Sequence, residues 1–383
     1  MYEHEFIGKI VEEVLKKITL GITLHAGDYQ VGLKPKLQRV ISLLNVGSDD
    51  TVHMVGIYGI GGIGKTTLAL EVYNSIVHQF QCSCFLKVRE NYNKNGLVLQ
   101  QMLLSKIVEK NIDINSVEEG ISILQKMLSK KKVLLLLDDV DNEKQLQAIA
   151  GKPNWFGLGS RIIITTRDRR LLTLHGVEDE HKYELKELND KDAFELVKRN
   201  AFKNEKTDRV NTDYVHVLER AVAYASGLPL ALEVIGSHFS NRKVEECECA
   251  LDQCERVPDK RIQMTLQLSF DALEEEEKSV FLDIACCFKG WSLTRVEQIL
   301  HAHHSYSIKK HIIVLVEKSL IKINEYGDVT LHDLIEDMGK DIVRQESPNP
   351  GERSRLWASK DIYQVLKDNK VSYNDMDGLV FHL

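Results

Sequence analysis

The chain has 383 residues, of which 43% are hydrophobic and 28% are charged, and its formal net charge is -7. At about 150 residues per domain, this length predicts two or three globular domains, and the composition excludes a mainly disordered or collagen-like chain. A net negative charge supplies no global field that attracts nucleic acid, so we expect no specific nucleic acid partner.

The sequence has no apolar run near the roughly 20 residues that a membrane-spanning helix requires. Its first residues mix Glu, His and Lys with apolar residues, unlike the core of a signal peptide. We therefore expect no membrane span and a location in the cytosol or nucleus. The seven cysteines match no common zinc pattern, and we expect them to be reduced thiols.

Apolar residues at helical spacing predict an amphipathic helix over 6–19. The next pattern is an apolar, β-branched strand over 51–58, which ends in a glycine-rich turn and precedes a helix from 66 to about 80. Further strands are predicted at 84–88, 133–137 and 161–165, with helices at 98–110 and 120–130 between them. Short apolar strands that alternate with helices predict a parallel sheet covered on both faces.

Strand patterns disappear beyond about Leu188. Helices predicted there form a small all-helical unit, at 190–201, 213–225, 229–239 and 244–256. From about residue 259, further helices precede short strands at 320–324 and 328–330, and Tyr326-Gly327 between the strands indicates a hairpin. This order predicts a winged helix. The remainder from Ser347 is rich in Pro, Asn and Asp and is predicted to be a linker.

One glycine-rich segment has the pattern of a phosphate-binding loop. Gly59-Ile-Gly-Gly-Ile-Gly-Lys65-Thr66 fits G-x-x-x-x-G-K-[ST] and lies between a predicted strand and a predicted helix. In such a loop the backbone N–H groups surround the β-phosphate, Lys65 reaches the β- and γ-phosphates, and the Thr66 hydroxyl coordinates Mg²⁺. An ordinary glycine-rich turn would explain the glycines but would not require Lys-Thr at the start of the helix.

Two later strands end in polar residues that suit the same site. Asp138 and Asp139 follow the strand at 133–137, at the carboxyl end where ligands bind in open α/β sheets. Asp138 would hold Mg²⁺ through water and Asp139 would lie near the attacking water, whereas the alternative is a helix N-cap. Arg167 follows the strand at 161–165, where it could sense a γ-phosphate or simply be a surface arginine.

Several motifs together resemble a known family. The segments GIGGIGKTT, LLLLDDVD, GSRIIITTRD, GLPLAL and LHD resemble, in order and spacing, the NB-ARC module of plant intracellular immune receptors, a member of the STAND class of switch ATPases. The segments FLKVRE and FLDIACCFKG, with Asp141 closing LLLLDDVD, are similar to the subclass whose receptors carry an N-terminal TIR domain.

This resemblance implies an α/β P-loop NTPase fold, a three-layer arrangement around a parallel sheet, followed by an all-α helical subdomain and a winged-helix subdomain. The implied divisions are a linker helix at 1–28 after a TIR domain, a P-loop nucleotide-binding domain at 29–187, the helical subdomain at 188–258, the winged helix at 259–346, and a linker to leucine-rich repeats at 347–383. The TIR domain and the repeats would be partners within the full receptor.

The family pattern also implies a set of residues around ADP or ATP. Val31 and Gly32 would lie beside the adenine, and Pro229 would press on it from the helical subdomain. His332 would contact the β-phosphate of ADP, although by local rules a His before an Asp at a helix start is a capping residue. The phosphates and Mg²⁺ would be bound by Gly59, Gly61, Gly62, Ile63, Gly64, Lys65, Thr66 and Thr67, with Asp138 at the metal and Arg167 as the sensor.

The function implied by the resemblance is an ADP/ATP-dependent switch of plant innate immunity. ADP would hold a closed resting state, ATP would favour an open state that self-associates through the nucleotide-binding module, and slow hydrolysis would reset the switch. Lys65, Asp138 and Asp139 would carry that hydrolysis, and it is expected to be slow because Asp139 is shorter than the Glu of many fast ATPases. Three alternatives stay open: a non-switching adaptor or decoy fragment, a P-loop NTPase with fast turnover or a small-molecule kinase, and a DNA-binding protein that uses the winged helix.

Overall fold

The computed structural model describes residues 24–26, 30–48, 50–92, 96–108, 113–202, 212–256, 259–303 and 307–367. The predicted helix at 6–19 and the last part of the predicted linker lie outside these residues. The described chain forms two compact units, one from residues up to 59 together with 64–186, and the other from 60–63 together with the chain from 187 onward. None of the described helices is both long enough and apolar enough to cross a bilayer.

The first unit contains a five-stranded sheet with the order β2-β3-β4-β1-β5, in which all neighbouring strands are parallel. Its strands are β1 (His53–Tyr58), β2 (Cys82–Lys87), β3 (Val133–Val140), β4 (Arg161–Thr166) and β5 (Lys182–Glu184). The predicted parallel sheet is confirmed, and the apolar residues of β3 and β4 are fully buried, as strands covered on both faces require. The short β5 was not predicted, because its three residues, Lys-Tyr-Glu, carry no apolar pattern.

Helices surround this sheet: α1 (Leu33–Leu44), α2 (Lys65–Ile76), α3 (Val88–Asn91), α4 (Leu97–Val108), α5 (Val117–Leu128), α6 (Glu143–Ala150) and α7 (Arg169–Leu174). The α5 helix begins where the Ser116 side chain accepts a hydrogen bond from the Glu119 N–H, a standard N-cap. The α7 helix lies so close to β1 that a Cβ at Gly56 would stand 2.3 Å from Leu172 Cδ1. Only glycine fits at that point of β1.

A buried arginine lies at the start of β4, at the edge of the sheet where that strand begins. Arg161 is 0% exposed. Its guanidinium donates hydrogen bonds to the backbone carbonyls of Asn45, Ser48, Thr51 and Ser160. The charge is thereby solvated by peptide dipoles, which ties the turn after α1 to the sheet.

The second unit is mainly helical. Its elements are α8 (Asp190–Ala201), α9 (Val215–Ala225), α10 (Pro229–Phe239), α11 (Val244–Arg256), α12 (Lys260–Asp271), α13 (Glu275–Asp283), α14 (Leu293–His303), α15 (Ile308–Glu317), β6 (Lys322–Ile323), β7 (Val329–Thr330), α16 (Asp333–Glu346) and α17 (Ser359–Lys367). Three helices, α8, α10 and α11, have the predicted bounds residue for residue. The α13 helix continues into a π-helical turn over Ile284–Phe288.

The predicted hairpin is present as the antiparallel pair β6 and β7, shortened to two residues in each strand. Gly327 makes the turn with φ of 83°, a conformation that favours glycine. Residues after Ser347 also pack on this unit, since the buried Arg355 donates to Asp283 Oδ1 at 2.7 Å. The first part of the segment predicted as a linker is therefore folded, held by an ion pair that composition alone does not reveal.

Candidate nucleotide-binding site

The glycine-rich loop leaves the carboxyl end of β1 and turns directly into α2. Gly59, Gly62 and Gly64 have φ of 148°, 78° and 92°, conformations that other residues rarely adopt. The N-cap of α2 is Gly64, and no side chain caps that end of this described helix. The positive end of the helix dipole therefore faces the loop, as in an anion-binding site.

Lys65, the first residue of α2, is directed back toward the loop. Its Nζ donates to the Gly59 carbonyl at 2.8 Å, and the residue is only 7% exposed. Burial lowers the pKa of Lys65 to about 7, and the nearby Arg167 acts in the same direction. A polyphosphate beside this amine would supply the negative charge that favours its protonated form, so the residue fits a nucleotide.

Thr66 and Asp138 meet beside this loop. The Thr66 hydroxyl lies 2.9 Å from Asp138 Oδ1 and 3.0 Å from Oδ2, although the two residues are 72 positions apart in the chain. Burial raises the pKa of Asp138, and hydrogen bonds from Thr165 and Thr66 act against that rise. A threonine hydroxyl next to a carboxylate is an oxygen donor set that fits Mg²⁺, which would also favour the ionised acid.

Thr165 is a further residue of the site that sequence reasoning missed. Its hydroxyl donates to Asp138 Oδ1 at 2.6 Å and accepts a hydrogen bond from the Asp139 N–H at 2.8 Å. The parallel register of β3 and β4, which pairs Leu137 with Ile164, brings these residues together. The one signal in the sequence was that the strand predicted at 161–165 ends in this threonine.

Asp139 lies in the last part of β3, where the strand is irregular between Leu137 and Val140. Its φ is 53°, so its carboxylate leaves the regular alternation of the strand. Arg167 Nε lies 3.4 Å from one carboxylate oxygen and Arg89 Nε lies 3.3 Å from the other. The sequence predicted Arg167 at this edge but missed Arg89, which follows the neighbouring strand β2.

The predicted adenine residues precede or begin helices in different units. Gly32 is the N-cap of α1, with φ of 69°, and Val31 before it is half-buried. Pro229 is the first residue of α10 in the second unit and is also half-buried. Gly32 and Pro229 thus lie at helix starts, and Val31 lies just before one. Their contact with adenine stays a prediction.

The middle of the glycine-rich loop, residues 60–63, groups with the second unit. The Gly62 carbonyl accepts a hydrogen bond from the Leu230 N–H at 3.2 Å, and a Cβ at Gly62 would stand 2.8 Å from Leu230 Cβ. Ile63 is 2% exposed as a whole residue, so its apolar side chain is packed inside and its backbone N–H is the polar group that could bind a phosphate.

His332 is the N-cap of α16, as local sequence rules indicate. Its Nδ1 accepts a hydrogen bond from the Leu334 N–H at 3.2 Å, which places the ring proton on Nε2, 3.1 Å from the Ser226 carbonyl oxygen. Burial lowers the pKa of His332, although Glu187 and Asp333 act in the opposite direction. The ring lines a cavity of about 390 Å³ together with Ser226, Lys322 and Asp333.

Comparisons with known proteins agree with this arrangement. Residues 33–207 match the NB-ARC domain, and residues 274–347 match the winged-helix domain of Roq1-like disease resistance proteins. Disease resistance protein RUN1 of Vitis rotundifolia is 39% identical over 373 residues, which cover 95% of this chain and 27% of that protein. TMV resistance protein N of Nicotiana glutinosa is 38% identical over 375 residues, which cover 95% of this chain and 31% of that protein.

The chain therefore spans less than a third of the length of these two relatives. Among solved structures, the Walker-type ATPase paby2304 of Pyrococcus abyssi is similar with a TM-score of 0.57 over 81% of this chain and 96% of that one. Its sequence identity is 14%, so this likeness concerns the fold alone.

Proposed function

This chain carries the NB-ARC domain and the winged-helix domain of plant disease resistance proteins, and from that premise we propose that it is an ADP/ATP-dependent switch in immune signalling. ADP holds the resting state, ATP favours a self-associating state, and slow hydrolysis returns the switch to rest. The observation that carries the proposal is the pair formed by Thr66 and Asp138, 2.9 Å apart beside the buried Lys65.

In this proposal the loop at 59–67 binds the phosphates with its backbone N–H groups and with Lys65. Thr66 and Asp138 would hold Mg²⁺, which neutralises charge on the β- and γ-phosphates when it is bound. Arg167 would sense the γ-phosphate. To do so, it would break its ion pair with Asp139 and bind the phosphate instead.

The surroundings of Asp139 support slow hydrolysis. Both oxygens of this carboxylate are engaged by guanidinium groups, so Asp139 must give up an ion pair before it can orient an attacking water. Arg89 and Arg167 both lie within 3.4 Å of Asp139. This arrangement favours a switch over the alternative of a P-loop NTPase with fast turnover.

We further propose that His332 and Pro229 contact the nucleotide from the second unit. Since Nδ1 of His332 is engaged by the start of α16, Nε2–H is the ring group that can donate to a β-phosphate. It would leave the Ser226 carbonyl to do so. In a full-length receptor of this kind, a TIR domain and leucine-rich repeats would be partners of such a module.

The test is to denature the purified protein and to identify the released nucleotide by chromatography. We expect nearly stoichiometric ADP in the native chain. Lys65→Ala should lower nucleotide affinity by about 10- to 100-fold, because it removes charge-assisted hydrogen bonds to phosphate. The matched control is Lys87→Ala, at a lysine whose side chain is 50% exposed and paired with Glu90.

The outcomes separate the alternatives. A well-folded native chain without nucleotide would favour the adaptor or decoy fragment. Rapid steady-state turnover of ATP would favour the fast NTPase. Full ADP content in Lys65→Ala would contradict the assignment of the phosphate loop.

A further inference from the structure

Away from the glycine-rich loop, three side chains of the second unit form a Cys–His–Asp arrangement. Cys254 Sγ lies 3.7 Å from His238 Nδ1, and His238 Nε2 lies 3.5 Å from Asp259 Oδ2. This is the order of a nucleophilic thiol, a base and a carboxylate that orients the base. The residues come from three elements: the end of α11, the end of α10 and the N-cap of α12.

The three side chains line a cavity of about 350 Å³, which is large enough for a small molecule. Arg242 and Lys260, both exposed, also line it. The carboxylate of Asp259 is engaged by His238, so the two cations favour a ligand that carries negative charge. A thiol, a base and cationic groups therefore share one concave surface.

The neighbouring cysteines of α11 have different surroundings. Cys247 is fully buried, with Sγ 3.8 Å from the Phe239 carbonyl oxygen, as expected of a packing residue. Cys249 is exposed on the same helix. Cys254 is 7% exposed and has a histidine within reach of its proton.

Burial raises the pKa of Cys254, with Asp259 and Glu255 acting in the same direction. The thiol is thus protonated at neutral pH, and the thiolate is the reactive form of a cysteine. Without a base, Cys254 should react more slowly than the exposed Cys249. A fast reaction at Cys254 would consequently require His238.

We propose that Cys254 is a modification site for small anionic disulfides, with His238 as its base and Asp259 as a positioning residue. His238 Nδ1 takes the proton from Sγ, and Sγ forms a bond to one sulfur of the disulfide. The disulfide bond breaks, and its electron pair leaves with the second sulfur, which takes the proton from His238. The products are a mixed disulfide on Cys254 and one free thiol, so no other oxidant or reductant is needed.

The experiment treats the purified chain with oxidised glutathione, a disulfide that carries carboxylates, and follows each cysteine by peptide mass spectrometry. We expect Cys254 to react at least tenfold faster than Cys249. The neutral bis(hydroxyethyl) disulfide should show a smaller preference for Cys254, because Arg242 and Lys260 no longer attract it. A faster reaction at Cys249 with both reagents would overturn the proposal.

Variants test the base and the positioning residue separately. His238→Gln should slow the reaction at Cys254 by about 100-fold, the usual range of general base catalysis, and leave Cys249 unchanged. Asp259→Asn keeps a side-chain oxygen for the Arg261 N–H, which caps α12 at 2.8 Å, but removes the charge. It should slow Cys254 about threefold to tenfold without changing the thermal unfolding temperature. Wild-type reactivity at Cys254 in His238→Gln would refute the role of the base.

Discussion

The two regions that carry the predicted site differ in how their charged groups are held. At the sheet edge, Lys65 and Asp138 are 7% and 5% exposed. Lys65 donates to the Gly59 carbonyl, and the register of β3 and β4 brings Thr165 to Asp138. At the start of α16, Asp333 has a side chain that is 57% exposed, and it is paired with Lys289 and Ser226. Buried polar groups are costly to leave unpaired, whereas exposed pairs contribute little to folding stability. The sheet edge therefore suits a rigid binding site, and the start of α16 suits contacts that break when the protein changes conformation.

The strongest test of the buried region is Asp138→Asn. It preserves the shape of the side chain but removes the charge that would hold Mg²⁺, so we expect single-turnover ATP hydrolysis to fall by about 100-fold or more. Asp179→Asn, at a carboxylate that is 76% exposed at its side chain, is the control and should hydrolyse normally. Unchanged hydrolysis in Asp138→Asn would show that this acid has no part in the reaction.

A second change in the same region tests why hydrolysis is slow. Arg89→Gln removes one of the two guanidinium groups beside Asp139, together with its pair to Asp141, and leaves one carboxylate oxygen of Asp139 open to an attacking water. We expect single-turnover hydrolysis to rise about threefold to tenfold at saturating ATP. If hydrolysis falls instead, Arg89 acts on the nucleotide rather than on Asp139.

Substitutions at the start of α16 should change self-association more than they change the free energy of unfolding. Lys289→Ala removes the cation that pairs with Asp333 and Glu336. It should lower the free energy of unfolding by only about 1 kcal/mol, because Asp333 is exposed and Glu336 keeps its pair with Lys340. We expect both this variant and Asp333→Val to self-associate more readily with ATP, measured by light scattering after gel filtration. Lys278→Ala, which breaks the surface pair with Glu275, is the control. If both variants stayed monomeric with ATP, the ion pairs of Asp333 and Lys289 would have no part in controlling self-association.

The smallest expected effect concerns pH and His332. Burial in the folded state lowers the pKa of His332. As the pH falls below about 6.5, His332 is therefore protonated in the unfolded chain before it is protonated in the folded one. Stability is therefore unaffected above that pH and decreases as the pH falls toward the folded pKa. His332→Asn keeps an N-cap oxygen and should flatten the difference between urea midpoints at pH 7.5 and 5.5. An equally steep dependence in the variant would assign the effect to other groups.

Features that depend on residues close together in the chain could be predicted from the sequence, and features that depend on residues far apart in the chain could not. Periodicity located α8, α10 and α11 to the residue, and the loop motif located Lys65 and Thr66. The short β5 was missed because an edge strand of three polar residues has no periodic signal. Arg89 and Thr165 were missed as site residues because their positions follow from strand order and register, which bring together segments far apart in the chain.

The same limit applies to Cys254, His238 and Asp259. Each looks ordinary in its own helix, since a cysteine, a histidine in a last turn and an aspartate before a helix are all common there. Their arrangement depends on how the ends of α10 and α11 meet the start of α12. Such a cluster can be found only once the packing of these helices is known.

Arg161 has a consequence for how the folded chain resists attack. Its guanidinium binds carbonyls on both sides of the turn after α1, at Asn45 and Thr51. A protease binds its substrate as an extended segment of backbone. This turn could become extended only if several backbone carbonyls gave up their hydrogen bonds to the buried guanidinium of Arg161. The turn should therefore be cleaved slowly, at a rate set by the opening of the sheet edge rather than by local fraying. Lysine could not replace Arg161 here, because a single ammonium group cannot reach so many carbonyls at once.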